Sequence, residues 1–111
     1  IIFNNNKRMR LIILALLFSV FSYGQEITTV HFNYKWNERN SYNQLDKLKD
    51  TKVQYAYVED QSDIIKKSVK SVPTIMIYKN GQPVAKFEAG LTMRITVRLD
   101  SIQAIINKHK K

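Results

Sequence analysis

The stretch VKSVPTIMIYKNGQPVAKF, residues 69–87, decides the fold. Its apolar run over Thr74–Lys79 is typical of a buried strand, yet Pro73 opens the run, and proline cannot donate the hydrogen bond that a central strand requires. The pair Asn80-Gly81 follows, and because both residue types tolerate positive φ, it predicts a tight β-hairpin turn. We therefore expect a hairpin whose second strand covers Pro83–Ala89, with a special backbone geometry at Pro73.

Two further strands are predicted upstream of this hairpin. β-Branched and aromatic residues are concentrated in Ile27–Phe32 and in Val53–Val58, as in strands. Between them, a helix is predicted over Asn37–Asp50, because three apolar residues recur there at a spacing of three and share one helical face. These residues are Tyr42, Leu45 and Leu48.

Two more helices complete the predicted order. Asp60 is the predicted N-cap of a short helix, with Asp63 supporting its first turn and an apolar face of Ile64, Ile65 and Val69. Past the break at Gly90, the last helix is predicted from about Thr92 to Lys108, because its apolar residues form one stripe. This stripe comprises Ile95, Leu99, Ile102, Ile105 and Ile106.

The order strand, helix, strand, helix, hairpin, helix predicts an α/β fold with a mixed four-stranded sheet flanked by helices. A helical crossover joins the first two strands, so they should be parallel, whereas the hairpin strands should be antiparallel.

Residues 1–24 are predicted to be a signal peptide region, with translation expected to begin at Met9. A basic flank, the apolar run Leu11–Phe21 and small residues before Gln25 match the pattern of an export signal. The run is shorter than the about 20 residues of a spanning helix. We therefore expect cleavage after Gly24 and a domain over residues 25–111 that is periplasmic or secreted. An uncleaved anchor is the alternative, and it is the only membrane contact expected.

Charge and cysteine content restrict the chemistry. The chain has 111 residues, no cysteine and a net charge of +9, of which three charges lie in the leader, which leaves +6. The basic residues are scattered except at Lys108–Lys111, and they lack the aromatic pattern of a nucleic-acid-binding sheet. We expect no nucleic-acid partner, no thiol chemistry and no disulfide, so packing alone must stabilise the domain.

Two blocks of sequence resemble the thioredoxin family. In SVKSVPTIMIYKNG, Ser68–Gly81, Pro-Thr opens a four-residue apolar strand that is followed by Lys-Asn-Gly, as in thioredoxins. TVHFNYKW, Thr29–Trp36, is similar to the strand that leads to their active-site tryptophan. The resemblance covers Ile27–Asn107. It implies a thioredoxin-like fold of order β-α-β-α-β-β-α and a cis peptide bond between Val72 and Pro73.

The resemblance also implies where a site would lie. After Trp36 a thioredoxin reads Cys-Gly-Pro-Cys, whereas this chain reads Asn37-Glu38-Arg39-Asn40, and the family's buried acid would fall at His31. Because thiol–disulfide exchange requires a thiolate, that activity is predicted to be lost, and no cofactor is expected.

The cis-proline loop is predicted to be kept for binding. By resemblance, Trp36 and the loop residues Val72, Pro73 and Thr74 would bind an extended peptide or a partner protein, much as a strand adds to a sheet edge. Two alternatives are a structural or assembly role with an unused groove, and an enzyme with non-thiol chemistry at His31 and Glu38.

Local features bear on these alternatives. His31 lies in the middle of a strand, where a hydrogen-bonded core histidine is the better interpretation. Trp36 fits either core packing or ligand recognition. The acids Glu59, Asp60 and Asp63 lack the ligand spacing of a calcium loop, so a helix start explains them and no metal site is predicted.

Overall fold

The structure is a computed structural model that describes residues 26–110. The predicted signal peptide, residues 1–24 with its start at Met9, lies outside the described residues. No helix within residues 26–110 has the length and apolar character needed to cross a membrane.

One mixed sheet of four strands forms the centre of the molecule. The strands follow the spatial order β2-β1-β3-β4. β1 runs parallel to β2, whereas β3 runs antiparallel to both β1 and β4. This arrangement confirms the predicted α/β fold. The strands are β1 (Ile27–Asn33), β2 (Lys52–Tyr57), β3 (Thr74–Lys79) and β4 (Gln82–Glu88).

The predicted hairpin turn is present between β3 and β4. Asn80 and Gly81 have φ values of 51° and 84°, which is the positive-φ pair that a tight hairpin turn needs. The Asn80 N–H donates to the carbonyl oxygen of Glu26 at 2.8 Å, and the Glu26 N–H donates to Oδ1 of Asn80 at 2.9 Å. These two bonds attach the turn to the start of β1.

Pro73 lies immediately before β3, which begins at Thr74 rather than at the proline. The peptide bond between Val72 and Pro73 is cis. The carbonyl oxygen of Pro73 accepts a hydrogen bond from the Ala89 N–H at 3.1 Å. Because proline stands outside the strand, its missing N–H removes no hydrogen bond from the ladder within β3.

Helices cover both faces of the sheet. Side chains alternate between the two faces along each strand. On one face, Ile65 of α1 (Asp63–Ser68) and Val69 at the end of that helix pack against the sheet. The strand residues that they meet there include Val30, Phe32, Ala56 and Met76. The opposite face packs against α2 (Leu99–His109). The apolar cluster between this face and α2 includes five fully buried residues, Leu45, Ile75, Ile77, Ile102 and Ile106.

The predicted helix over Asn37–Asp50 is wrong. The crossover consists of two short 3₁₀ turns, at Lys35–Asn40 and Leu45–Lys47. The Tyr42 N–H, which in an α-helix would bond the carbonyl four residues earlier, donates instead to Nε2 of His31 at 2.9 Å. The apolar spacing nevertheless indicated the right core residues, because Tyr42, Leu45 and Leu48 are all buried.

The predicted N-cap of the short helix is also wrong. Val58–Asp60 forms a 3₁₀ turn, and α1 begins three residues later with Ser62 as its N-cap. Oγ of Ser62 accepts from the Ile65 N–H at 3.5 Å. Of the predicted apolar face, Val69 is buried, whereas Ile64 is 80% exposed.

The last helix begins seven residues later than predicted, at Leu99 rather than Thr92. Met93 has a φ of 59°, which a right-handed helix does not allow. The β-branched residues Ile95, Thr96 and Val97 then follow, and such residues lower helix propensity. Ile95 nevertheless packs against the same apolar cluster as α2. The predicted stripe therefore faces the core, although its first residue precedes the helix.

Candidate functional site

Trp36 stands on the surface at the start of the crossover. It is 65% exposed, although tryptophan is a residue that folding usually buries. Its ring stacks on that of Tyr34, with centroids 6.0 Å apart and an interplanar angle of 14°. The structure therefore places Trp36 outside the core and holds its ring against a neighbouring aromatic face.

An apolar groove of about 500 Å³ lies beside Trp36. Three segments of the chain form it: the start of the crossover, the loop before β3 and the loop after β4. The lining residues are Tyr34, Trp36, Val69, Lys70, Ser71, Val72, Ala89, Gly90, Leu91 and Met93. We call this cavity the Trp36 groove.

Of the residues predicted to bind a peptide, the structure brings two to the groove. Trp36 and Val72 line it, whereas Pro73 and Thr74 are buried and do not. Oγ1 of Thr74 donates to the carbonyl oxygen of Ser71 at 2.6 Å, so this side chain holds the loop rather than the ligand space.

Two lining residues were missed in the sequence. Leu91 is fully exposed and Met93 is 40% exposed, and both line the groove. The sequence placed this region at the start of the last helix. The signal that could have found them is Gly90-Leu91-Thr92, where a large apolar residue stands between a chain breaker and a polar residue.

None of the four residues Asn37–Asn40, which by the resemblance would stand where a thioredoxin has Cys-Gly-Pro-Cys, lines the groove. Asn37 is buried and Asn40 half-buried, whereas Glu38 and Arg39 are exposed. Nδ2 of Asn37 donates to Oδ1 of Asn33 at 3.1 Å and to the carbonyl oxygen of Met93 at 3.3 Å. Asn37 thus connects the end of β1 to one wall of the groove.

Asn40 extends this network to the surface. Its Nδ2 donates to Oδ1 of Asn37 at 2.8 Å, and its Oδ1 accepts from Nε of Arg94 at 3.2 Å. The two asparagines therefore form hydrogen bonds that tie the crossover turn to the loop after β4.

His31 is 2% exposed and uses Nε2 as the acceptor for Tyr42. Its ring centroid lies 5.1 Å from that of Tyr55. Burial penalises the charged imidazolium and lowers the pKa of His31 to about 4. His31 is thus a neutral, hydrogen-bonded core histidine at physiological pH.

Glu38 does not line the Trp36 groove. Oε2 of Glu38 accepts a hydrogen bond from the Tyr57 hydroxyl at 2.9 Å. Both residues line a second cavity, of about 290 Å³, to which His31 also contributes. We call it the polar cavity.

No cluster of three or more metal-ligating side chains occurs within residues 26–110. The chain also contains no cysteine, so no thiolate is present to attack a disulfide.

Sequence comparisons and structure comparisons give different results. No protein-family model matches the sequence, and neither does any curated protein. Solved structures do match. A point mutant of the thioredoxin from Halobacterium salinarum is 19% identical with a TM-score of 0.61, and the match covers 86% of this chain and 83% of that one.

Two further thioredoxins superimpose similarly. Thioredoxin NaTrxh from Nicotiana alata is 20% identical with a TM-score of 0.58, and the match covers 87% of this chain and 84% of that one. The thioredoxin from Plasmodium falciparum is 20% identical with a TM-score of 0.55, over 86% of this chain and 92% of the other. The chain therefore has the thioredoxin fold, in a form that carries no cysteine.

Proposed function

We propose that this protein is an exported binding module that takes an extended, apolar segment of a peptide or partner protein into the Trp36 groove. The observation that carries the proposal is Trp36 itself, which is 65% exposed and lines an apolar groove rather than the core. Tryptophan is enriched among the residues that contribute most of the binding energy at protein interfaces.

Several apolar side chains of this groove are in contact with solvent, so a ligand that covers them would be stabilised by the hydrophobic effect. Of the groove's apolar lining, Trp36, Leu91 and Met93 are exposed, whereas Val69 and Val72 are buried. Exposed apolar patches in soluble proteins mark interaction sites. A segment that covers the three exposed side chains would gain roughly 25 cal/mol for each Å² of apolar surface that it buries.

The charge of the groove indicates the kind of peptide. Lys70 is the one charged side chain among the described residues that line the Trp36 groove. No acidic side chain from residues 26–110 is part of this lining. A peptide that places a carboxylate beside its apolar residues would therefore bind better than one that carries a lysine there.

Two asparagines stand where the resemblance to thioredoxins would place two cysteines, so the proposed binding involves no redox chemistry. Asn37 and Asn40 supply amides that hydrogen-bond within the protein, and an amide cannot form a mixed disulfide. The proposed module would hold its partner by non-covalent contacts alone.

Fluorescence of Trp36 tests the proposal, because it is the only tryptophan of the chain. We would titrate blocked valine- and leucine-rich peptides that carry either one aspartate or one lysine. Saturable changes are expected, with tighter binding of the aspartate peptide. An absence of saturable change at millimolar peptide contradicts the proposal.

Two exposed apolar residues provide a matched pair of variants. Leu91→Ala removes a side chain that lines the groove, whereas Ile64→Ala removes another highly exposed side chain, on α1, that does not. Leu91→Ala should weaken binding about fivefold, since it loses roughly 1 kcal/mol of apolar burial. Ile64→Ala should leave the affinity unchanged. Equal effects of both variants would place the binding outside the groove.

Export is a separate part of the proposal. The pattern of a basic flank, an apolar run over residues 11–21 and small residues before Gln25 supports a cleaved leader. Expression with a C-terminal tag, followed by mass measurement of the recovered protein, tests it. We expect the mass of a chain that begins at Gln25, whereas an uncleaved chain in the membrane fraction would support the anchor instead.

A further inference from the structure

Three methionines occur in the chain, and the structure describes two of them in opposite environments. Met93 is 40% exposed and lines the Trp36 groove. Met76 on β3 is buried, and its Sδ accepts a hydrogen bond from the hydroxyl of Tyr78 at 3.5 Å. The third, Met9, lies outside the described residues. Of the two described thioethers, that of Met93 is therefore the one that a small solute reaches from solvent.

The backbone of Met93 is held in place by two hydrogen bonds. Its N–H donates to the carbonyl oxygen of Gly90 at 3.0 Å, and its own carbonyl oxygen accepts from Nδ2 of Asn37 at 3.3 Å. Neither bond involves the thioether, so a chemical change at the sulfur leaves both of them available. A modified side chain would therefore remain at the wall of the groove.

The thioether of Met93 can be oxidised by a peroxide. Cysteine thiolates, the other sulfur nucleophiles that peroxides attack in proteins, are absent from the chain. In the reaction, a lone pair of Sδ attacks one oxygen of hydrogen peroxide, an S–O bond forms and the O–O bond breaks. The sulfur is oxidised by two electrons to the sulfoxide. The proton on the transferred oxygen passes to the departing hydroxide, which leaves as water.

Oxidation would change the character of the groove. A thioether is a flexible, apolar group, whereas a sulfoxide is polar and chiral. In the free groove its oxygen would accept hydrogen bonds from water, and an apolar ligand segment would displace that water. Burial of a polar group without a replacement hydrogen bond opposes binding.

We propose that Met93 is a modification site at which a peroxide forms methionine sulfoxide, and that this oxidation lowers the affinity of the Trp36 groove for its apolar ligand. The change in affinity rests on the proposed function, whereas the site of oxidation does not. A methionine sulfoxide reductase would reverse the change: a dithiol supplies two electrons and becomes a disulfide, and the sulfoxide oxygen leaves as water. The groove would thus respond to peroxide without any cysteine.

The first measurement locates the oxidation. The full chain is treated with hydrogen peroxide at pH 7, and its proteolytic peptides are followed over time by mass spectrometry. Addition of one oxygen to Met93 is expected to be at least about ten times faster than to Met76, because oxidation follows exposure. Similar rates at the two methionines, or faster oxidation of Met76, would overturn the proposal.

The second measurement follows the affinity for the aspartate-containing apolar peptide by Trp36 fluorescence. Oxidation of the native chain should weaken this binding about tenfold, as burial of an unpaired polar group does. Met93→Leu removes the exposed sulfur, so peroxide treatment should leave the affinity of this variant at its own starting value. Met76→Leu should keep the tenfold response.

Two results of the second measurement would overturn the proposal: an unchanged affinity of the native chain once Met93 is fully oxidised, and an equal loss of affinity in both variants. If the untreated chain binds no peptide, the proposed function fails and the change in affinity fails with it. The mass measurement still decides the site of oxidation in that case.

Discussion

The side-chain amide of Asn40 donates a hydrogen bond to the side-chain oxygen of Asn37, 2.8 Å away. These are the positions that two cysteines would occupy by the resemblance to thioredoxins. Through its own amide, Asn37 continues this bond to the carbonyl oxygen of Met93, which lines the Trp36 groove. Asn37 and Asn40 thus help to position one wall of the proposed binding site.

Removal of the Asn37 side chain should therefore destabilise the protein. Asn37→Ala leaves the buried amide of Asn33 with one partner fewer, so we expect a loss of about 1–3 kcal/mol in the free energy of unfolding. Asn40→Ala, at a half-buried position, should cost less than about 1 kcal/mol. Urea unfolding of both variants measures this difference. Equal losses would show that the buried network contributes nothing beyond the surface bond.

Stability should fall in acid because of His31. Its pKa is about 4 in the folded protein and 6.5 when unfolded, so the unfolded chain binds the extra proton between these values. The contribution is complete above pH 6.5 and is lost as the pH falls toward 4, by at most about 3 kcal/mol. Urea unfolding between pH 7 and pH 4.5 measures the slope.

His31→Gln is the control for this pH dependence. Glutamine supplies an acceptor for the Tyr42 N–H and does not titrate. The variant should keep the slope that its carboxylates produce and lose the part due to the imidazole. A slope identical to that of the native chain would show that His31 is not buried in its neutral form.

The two glycines of the hairpin region should respond differently to alanine. Gly81 has a φ of 84°, so Gly81→Ala should cost about 1–2 kcal/mol. A methyl group on Gly90 would meet no heavy atom within 4 Å, and Gly90 has no positive φ, so Gly90→Ala should change stability by less than about 1 kcal/mol. Thermal unfolding compares the two. A neutral Gly81→Ala would contradict the turn geometry.

Burial distinguishes two isoleucines on the two helices. Ile102 is fully buried in α2, and Ile102→Ala should cost about 2–5 kcal/mol by leaving a cavity. Ile64 is 80% exposed on α1, and Ile64→Ala should cost less than about 0.5 kcal/mol. Chemical denaturation measures both. Comparable losses would mean that the two faces of the sheet are not packed as described.

The sequence predicted the sheet well because its signals are local. Asn80-Gly81 sets the hairpin through two positive φ angles, and the runs of β-branched and aromatic residues favour the extended backbone of β1 and β2. The packed half of the last helix was equally predictable, since Ile102 and Ile106 repeat every four residues and are both buried.

The errors arise where a tertiary contact overrides local preference. His31 captures the N–H of Tyr42 from a neighbouring strand, and nothing in the spacing of residues 37–50 reveals that bond. The positive φ of Met93 likewise delays the last helix. That same irregular loop exposes Leu91, so the error in the helix start and the omission from the predicted site have one cause.

The most direct test of the peptide-binding proposal is a map of the contact surface by ¹⁵N NMR, with the aspartate-containing apolar peptide as the ligand. The proposal predicts amide shifts at Lys70, Ser71, Gly90 and Leu91, which line the Trp36 groove, and none along α2. Shifts confined to α2 or to the polar cavity, or no shifts at saturating peptide, would contradict the assignment of the groove as the binding site.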